Sequence, residues 1–214
     1  MKVFKKLLKG VSDVINSNTY DGGADAILNI FTQNQTETEE QDYGTVNNLI
    51  STCSQSKESL AVLYNMFKKS VFAVAFSITS DYHLSEDCVA ETFVRLTQVR
   101  NFNPKKGDGK GFIHKIARNV ALEFNRSYKR DIENIYVSNY GESDNTIENS
   151  IFLTELLAHL NDKQRQIVVM KCCSELTFKE IAKIMKCPES TIKSRYKRAI
   201  AILQEKAGVD SEKK

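Results

Sequence analysis

The chain has 214 residues, of which 41% are hydrophobic, with 2 prolines and no tryptophan. This length and apolar content allow one or two small domains and exclude one large hydrophobic core. The net charge of +3 says little about partners, but the charges are grouped along the chain. Acidic residues prevail in 11–60 and 131–150, whereas basic residues prevail in 104–130 and again toward the C-terminus. Two basic surfaces separated by acidic segments indicate two sites that bind a polyanion.

The cysteines and histidines favour a protein without metal, cofactor or catalytic activity. The five cysteines include no CxxC pair, so free thiols in a reducing compartment are expected. The alternative is a zinc site of unfamiliar spacing, whose ligands would be Cys172, Cys173, Cys187 and His159. The three histidines form no cluster with cysteines or carboxylates, and the glycine-rich segment 107–111 is too short for a phosphate-binding loop. We therefore expect no enzyme.

No apolar run in the sequence has the length of a membrane span, and the N-terminus lacks the features of a secretory signal. These observations predict a cytoplasmic protein. Residues 1–57 are predicted to be an N-terminal extension that begins with an amphipathic helix, either packed on protein or attached to a membrane surface. Residues 32–56 are polar and favour a flexible linker. One hypothesis is self-inhibition, in which the acidic residues at 37–42 cover one of the two basic surfaces.

A first helical domain is predicted over residues 58–130, because apolar residues recur there at steps of three and four. Its second helix is expected to begin after Ser85, which is followed by two acidic residues. A proline and three glycines predict a loop over 101–111. A third helix is expected over 112–130.

Residues 131–148 are acidic and rich in Asn and Ser, which predicts a second linker. A second helical domain is predicted over 149–208, followed by a tail at 209–214. Two of its helices begin with capping-box spacing, at Asn161 and at Thr177. The predicted fold class is all-α, with two small helical domains joined by an acidic flexible linker.

Residues 176–198 have the pattern of a helix-turn-helix unit, with a short apolar-faced helix, a turn and a final helix that begins after Pro188. Lys186 lies in the turn where most such units have glycine, and a left-handed backbone there would cost about 1 kcal/mol. The outward face of the final helix carries groups that suit the major groove of DNA. These residues are Glu189, Ser190, Thr191, Lys193, Ser194, Arg195, Lys197 and Arg198.

Three stretches resemble sigma-70-type sigma factors. Residues 161–198 are similar to their domain 4, which reads the −35 promoter element. Residues 85–96 and 111–126 are similar to domain 2, which holds the polymerase clamp and opens the −10 element. Because no domain separates the two, the layout resembles the extracytoplasmic-function (ECF) group, with a likeness that covers about residues 58–208.

The resemblance implies a role for each matched group. The helix that bears Asp87, Glu91, Thr92 and Arg95 would contact the polymerase clamp. The loop from Asn101 to Lys110 would hold a flipped −10 base. The residues implied in −10 binding and melting are Asn103, Lys105, Lys106, Lys110, Phe112, Lys115, Arg118, Asn119, Arg126, Lys129 and Arg130.

The implied function is promoter-specific initiation of transcription, with core RNA polymerase and promoter DNA as partners and an anti-sigma factor as a further candidate. Two alternatives stay open. One is a conventional helix-turn-helix regulator that needs no polymerase, and the other is a sigma-like protein that binds polymerase without promoter preference. Ala90, which replaces the usual Gln of the family, leaves room for the second alternative. Phe112 replaces the usual Trp but still offers a stacking face.

Overall fold

Seven α-helices make up the residues that this computed structural model describes, namely 43–100, 102–105, 108–134 and 157–206, and no strand occurs among them. In chain order they are α1 (Tyr43–Thr52), α2 (Lys57–Thr79), α3 (Tyr82–Thr97), α4 (Gly109–Asn134), α5 (Asp162–Cys172), α6 (Phe178–Met185) and α7 (Glu189–Lys206). The predicted all-α fold class is confirmed.

Helix α1 lies where the sequence predicted a linker. It packs on α2 and α4, and it buries Val46 and Ile50 in the core of the first domain, together with Cys53 directly after its end. The linker prediction is therefore wrong for residues 43–53, because three apolar side chains at steps of four and three suffice to dock this short segment. The predicted N-terminal helix and the acidic residues at 37–42 lie outside the described residues.

Helices α2, α3 and α4 pack against one another and complete the first domain. Helix α3 begins earlier than predicted, because the carboxylate of Asp81 accepts the Leu84 N–H at 2.7 Å and caps the helix, while Ser85 is buried inside it. Helix α4 also begins earlier, within the predicted loop. Its first turn is capped by Asp108, whose side chain accepts the Gly111 N–H at 3.0 Å.

Helix α2 is long and apolar enough, by length and composition alone, to cross a membrane. Half of that apolar stretch is buried inside the protein, where its side chains take part in both hydrophobic clusters. This burial is typical of the central helix of a helical domain.

Helices α5, α6 and α7 form the second domain. Asn161 and Thr177 cap α5 and α6, each through a complete capping box, which confirms both predicted caps. Helix α7 packs on α5 and α6 and buries Ile192, Ala199 and Leu203. The second domain therefore has the helix-turn-helix arrangement that its sequence predicts.

The two domains lie against each other and share one hydrophobic cluster. Ala73, Val74 and Ile78 of α2 belong to the same cluster as Ile167 and Val168 of α5. Helix α2 packs on α5, and α4 packs on α6. Helical periodicity predicts that such side chains are buried, but it does not predict which domain covers them. The sequence therefore predicted two separate modules, whereas in the structure the two domains pack against each other, an arrangement called the closed form below.

Candidate nucleic-acid interface

The turn between α6 and α7 sets the shape of the helix-turn-helix unit. Lys186 ends α6 in the left-handed region, with φ 53° and ψ 45°. The backbone N–H groups of Lys186 and Cys187 both donate to the carbonyl of Ala182. These bonds hold a lysine in a conformation that costs about 1 kcal/mol relative to glycine, within the turn that lets α7 pack on α6.

The outward face of α7 is polar and largely accessible. Five of its predicted members are exposed, namely Ser190, Lys193, Ser194, Lys197 and Arg198, and three are half-buried, namely Glu189, Thr191 and Arg195. Lys193 Nζ lies 2.7 Å from Glu189 Oε1, so these two side chains form an ion pair on the helix surface. Arg195 turns toward the preceding turn, where its Nη1 lies 3.9 Å from Cys187 Sγ. The face can therefore present hydroxyl and cationic groups to a groove and its phosphates.

A cavity of about 310 Å³ lies between the loop before α4 and the second domain. Phe102, Phe112 and Lys115 line it on the side of the first domain, and Glu180 and Lys183 of α6 line it on the other. The rings of Phe102 and Phe112 are tilted, with centroids 5.1 Å apart. An aromatic wall beside a lysine can stack a base and hold its phosphate, and α6 forms the opposite side of this cavity.

Two predicted DNA ligands of α4 contact the second domain. Lys110 Nζ lies 3.9 Å from Glu175 Oε2, and Arg118 Nε donates to Gln166 Oε1 at 2.9 Å. Burial lowers the pKa of both cationic groups. Both side chains are therefore engaged between the two domains in this arrangement.

The remaining residues predicted for −10 binding fall into two groups. Asn103, Lys105, Lys115, Asn119 and Arg126 are exposed. Lys106 and the side chains of Lys129 and Arg130 lie outside the described residues.

Helix α3 carries the residues predicted to contact polymerase. Asp87 is exposed, whereas Glu91 and Arg95 are half-buried and joined by an ion pair of 2.7 Å. Arg95 Nη2 also lies 2.8 Å from Glu123 Oε2 of α4. The guanidinium thus bridges two helices of the first domain and keeps the acidic side of α3 in place.

Thr92 does not belong to that surface. It is fully buried, and its hydroxyl donates to the carbonyl of Cys88 at 2.6 Å. The prediction that Thr92 contacts polymerase is therefore wrong, because its position turns into the core of the domain. Two neighbours of Asp87 are exposed: Ala90, which the sequence analysis named as a departure from the family, and Val94, which it missed and which is 50% exposed. Their spacing of three and seven residues from Asp87 places them on the same helix face.

No group of His, Cys, Asp or Glu side chains is placed to hold a metal ion in residues 43–100, 102–105, 108–134 and 157–206. All five cysteines are free thiols. Burial raises the pKa of the Cys172 thiol to about 12, and it also raises that of Cys173. The thiols of this pair are therefore protonated at neutral pH. Among the described residues, Cys172, Cys173, Cys187 and His159 do not form the zinc site that the sequence left open.

Comparison with known proteins identifies both domains. Residues 63–131 match the family Sigma-70 region 2 and residues 153–203 match Sigma-70, region 4, which together span more than half of the chain. The ECF RNA polymerase sigma factor SigM of Bacillus subtilis (strain 168) is 26% identical over 145 residues, which cover 64% of this chain and 88% of SigM. SigW of the same organism is 22% identical over 160 residues, which cover 66% of this chain and 85% of SigW. The chain belongs to the ECF group of the sigma-70 family.

Membership of this family decides between the functions that the sequence left open. This sigma factor binds core RNA polymerase, directs it to promoter DNA and is not an enzyme. The match to region 2 decides against a conventional helix-turn-helix regulator, which needs no such domain. Both regions are present, and the relative SigM, which the chain matches over most of its length, is a sigma factor, so promoter-specific initiation is supported over a factor without promoter preference.

Two solved structures have a similar fold. The sigma factor RpoE of Bartonella quintana, in complex with the anti-sigma factor NepR, has a TM-score of 0.58 and 24% identity, and the match covers 71% of this chain and 98% of RpoE. CnrH, in complex with the cytosolic domain of CnrY, has a TM-score of 0.58 and 16% identity over 78% of this chain and 99% of CnrH. Because both proteins are less than 25% identical to this chain, these two matches show a similar fold.

Proposed function

We propose that the two domains of this sigma factor divide the promoter between them. The exposed face of α7 binds the −35 duplex, and the loop before α4 receives an unstacked −10 base. The surface of α3 around Asp87 and Val94 contacts the polymerase clamp. The observation that carries the proposal is the Phe102–Phe112 aromatic wall, which lies beside Lys115 on the domain that does not contain the helix-turn-helix unit.

The closed arrangement has to open before promoter DNA can bind in this way. The Arg118 Nε–H is already bonded to Gln166, and Glu180 and Lys183 of α6 face Phe112 across the cavity. We therefore propose that polymerase selects an open form, in which the acidic segment between the domains follows the RNA path of the enzyme. An anti-sigma factor that binds the closed form would keep this sigma factor inactive in the cytoplasm.

The decisive experiment is transcription from a pool of genomic fragments. Purified sigma factor and bacterial core polymerase are mixed with the pool, and transcripts are compared with those from reactions that lack either protein. We expect a small set of fragments that is transcribed only when both proteins are present. Transcripts that do not depend on this factor would contradict the proposed function.

Replacing Lys197 or Arg198 by alanine is expected to weaken binding to −35 duplex DNA. Each exposed cation is proposed to neutralise about one phosphate, so its loss also lowers the slope of log affinity against log salt concentration by about one. Duplex binding by the holoenzyme at several salt concentrations measures both effects. Lys57→Ala, which removes an exposed lysine from the other domain, is the matched control. Unchanged affinity in both α7 variants would mean that the recognition face is elsewhere.

Phe112→Ala is expected to slow promoter opening more than it weakens docking. Stacking of a base on an aromatic side chain contributes about 1–3 kcal/mol, and this contribution arises only after the base has left the duplex. The rate of opening is followed with a fluorescent base analogue in the −10 element. Phe112→Trp keeps a stacking face and should open promoters at close to the original rate. Equal opening rates for the alanine variant and the original protein would remove Phe112 from the −10 site.

A further inference from the structure

We propose that Asn47 of α1 is a positioning residue that holds the −10 loop in the shape that selects a base, an inference that rests on the function proposed for that loop. The side chain of Asn47 is only 8% exposed. Its Nδ2 donates to the carbonyl of Pro104 at 2.9 Å, and its Oδ1 accepts the N–H of Gly109 at 2.8 Å. One side-chain amide thus bonds to the backbone at two points of the loop, five residues apart.

The two backbone groups leave only one orientation for this amide. The Pro104 carbonyl can only accept a hydrogen bond and the Gly109 N–H can only donate one, so Nδ2 faces the first and Oδ1 faces the second. Gly109 is the first residue of α4, where a backbone N–H has no partner within its own helix. Asn47 therefore supplies an external cap for α4 and at the same time fixes the preceding loop.

Close packing between α1 and the start of α4 supports the same role. A Cβ atom built on Gly109 would lie 2.6 Å from Asn47 Oδ1 and 2.9 Å from Ile50 Cδ1. Glycine at this position therefore allows the helix to approach Asn47 within hydrogen-bonding distance. Helix α1, which precedes the residues that match region 2, belongs structurally to the −10 site.

The clamped loop leads directly to the aromatic wall. Asp108 caps the first turn of α4, and Phe112 follows in the same turn with its ring against Phe102. Release of the loop at Pro104 or at Gly109 would let these two rings move relative to each other. A pocket that is less well defined should still stack a base, because every base has a π-face, but it should discriminate less between bases.

The test uses the full chain with core polymerase and three variants. Asn47→Asp keeps an acceptor for the Gly109 N–H but places a second acceptor against the Pro104 carbonyl. Asn47→Ala removes both bonds, and Asn48→Ala is the matched control, since Asn48 is the exposed neighbour on the same helix. Affinity is measured for single-stranded −10 oligonucleotides with each of the four bases at the flipped position, for −35 duplex DNA and for core polymerase alone.

We expect both Asn47 variants to lose about tenfold in the ratio of affinities between the preferred base and the next best base. Their affinities for −35 duplex and for core polymerase should be unchanged, and Asn48→Ala should match the original protein throughout. Hydrogen exchange at the Gly109 amide, which requires no DNA, should become faster in Asn47→Ala and stay slow in Asn47→Asp.

Unchanged base discrimination in folded Asn47 variants would overturn the positioning role. A parallel loss of core binding, duplex binding and thermal stability in both variants would also overturn it, because Asn47 would then serve folding alone. If the original holoenzyme itself shows no preference among the four bases, the function proposed for the loop fails and this inference falls with it. The exchange rate of the Gly109 amide then still reports whether Asn47 holds the loop.

Discussion

Gln166→Lys is expected to open the closed form of this sigma factor, and Gln166→Glu is expected to tighten it. Gln166 is 4% exposed, and its Oε1 accepts the Arg118 Nε–H at 2.9 Å across the domain interface. A lysine there would place a second cation against a guanidinium whose pKa burial already lowers. We expect this like-charge contact to cost the closed form about 2–3 kcal/mol. A glutamate would instead complete a charge-assisted hydrogen bond with Arg118.

Opening should be visible without polymerase and without a promoter. A shift of about 2–3 kcal/mol changes the ratio of open to closed molecules by roughly 30- to 150-fold. Small-angle scattering of the free factor should therefore give a larger radius of gyration for Gln166→Lys than for Gln166→Glu. Single-stranded −10 DNA should bind the lysine variant more tightly, because Lys110 and Arg118 are released from the second domain.

The remaining interdomain contacts decide how complete the opening is. Arg165 Nε donates to the carbonyl of buried Ser77 at 3.0 Å, and this bond does not involve Gln166. If Gln166→Lys alone gives a mixture of forms, adding Glu175→Lys should raise the fraction of the open form further, since it also turns the contact with Lys110 repulsive. Equal radii and equal DNA affinities for the lysine and glutamate variants would show that the interface contributes little to the behaviour of the free factor.

Local features of this fold could be predicted from the sequence because their causes are local. Both capping boxes need only residues three positions apart, and the left-handed Lys186 follows from the short turn between two apolar-faced helices. The start of α3 was misplaced because Asp81 and Ser85 are both good capping residues, and only packing decides between them. Thr92 was misassigned because membership of a helix does not by itself say which face a residue occupies.

Features that depend on contacts distant in sequence could not be predicted. Helix α1 has two buried apolar residues, and a third, Cys53, follows it directly. The other residues of this segment are mostly polar, so its sequence is similar to that of a linker, and only the contacts with α2 and α4 distinguish it from one. Asn47 reaches partners 57 and 62 residues away, and no local pattern marks it. The closed pairing of the domains is of the same kind, since Arg118 and Gln166 reveal their contact only in three dimensions.

The stability of this sigma factor is expected to fall as the pH drops from about 6.5 to about 4, because folded His114 resists protonation. The ring is fully buried, with Nδ1 2.8 Å from the Lys110 carbonyl and Nε2 3.1 Å from Ser70 Oγ. Burial, helped by the Lys110 charge, lowers the pKa of His114 from 6.5 to about 4. The bond to the Lys110 carbonyl and the charge of Glu180 act in the opposite direction but are weaker.

The direction of this pH dependence follows from whether the folded or the unfolded state binds the proton. Above pH 6.5 the ring is neutral in both states and contributes no pH dependence. Between about pH 6.5 and pH 4, His114 is protonated in the unfolded chain but neutral in the folded one. The free energy of unfolding therefore decreases across this range by up to about 3 kcal/mol. Below about pH 4 both states are protonated and the loss from this residue is complete. Urea unfolding at a series of pH values across this range measures the effect.

Carboxylates titrate in part of the same pH range. The contribution of His114 is therefore measured as the difference in unfolding free energy between the original protein and a variant that lacks the ring. His114→Gln has no titrating ring but can still donate a hydrogen bond toward the Lys110 carbonyl, and its stability should fall less steeply with acid. His83, whose side chain is 91% exposed, is the matched control, and His83→Gln should keep the slope of the original protein. If His114→Gln kept that slope as well, the acid sensitivity would arise elsewhere. A confirmed difference would link acid to function, because the carbonyl that His114 holds belongs to the first turn of α4, which also carries Phe112.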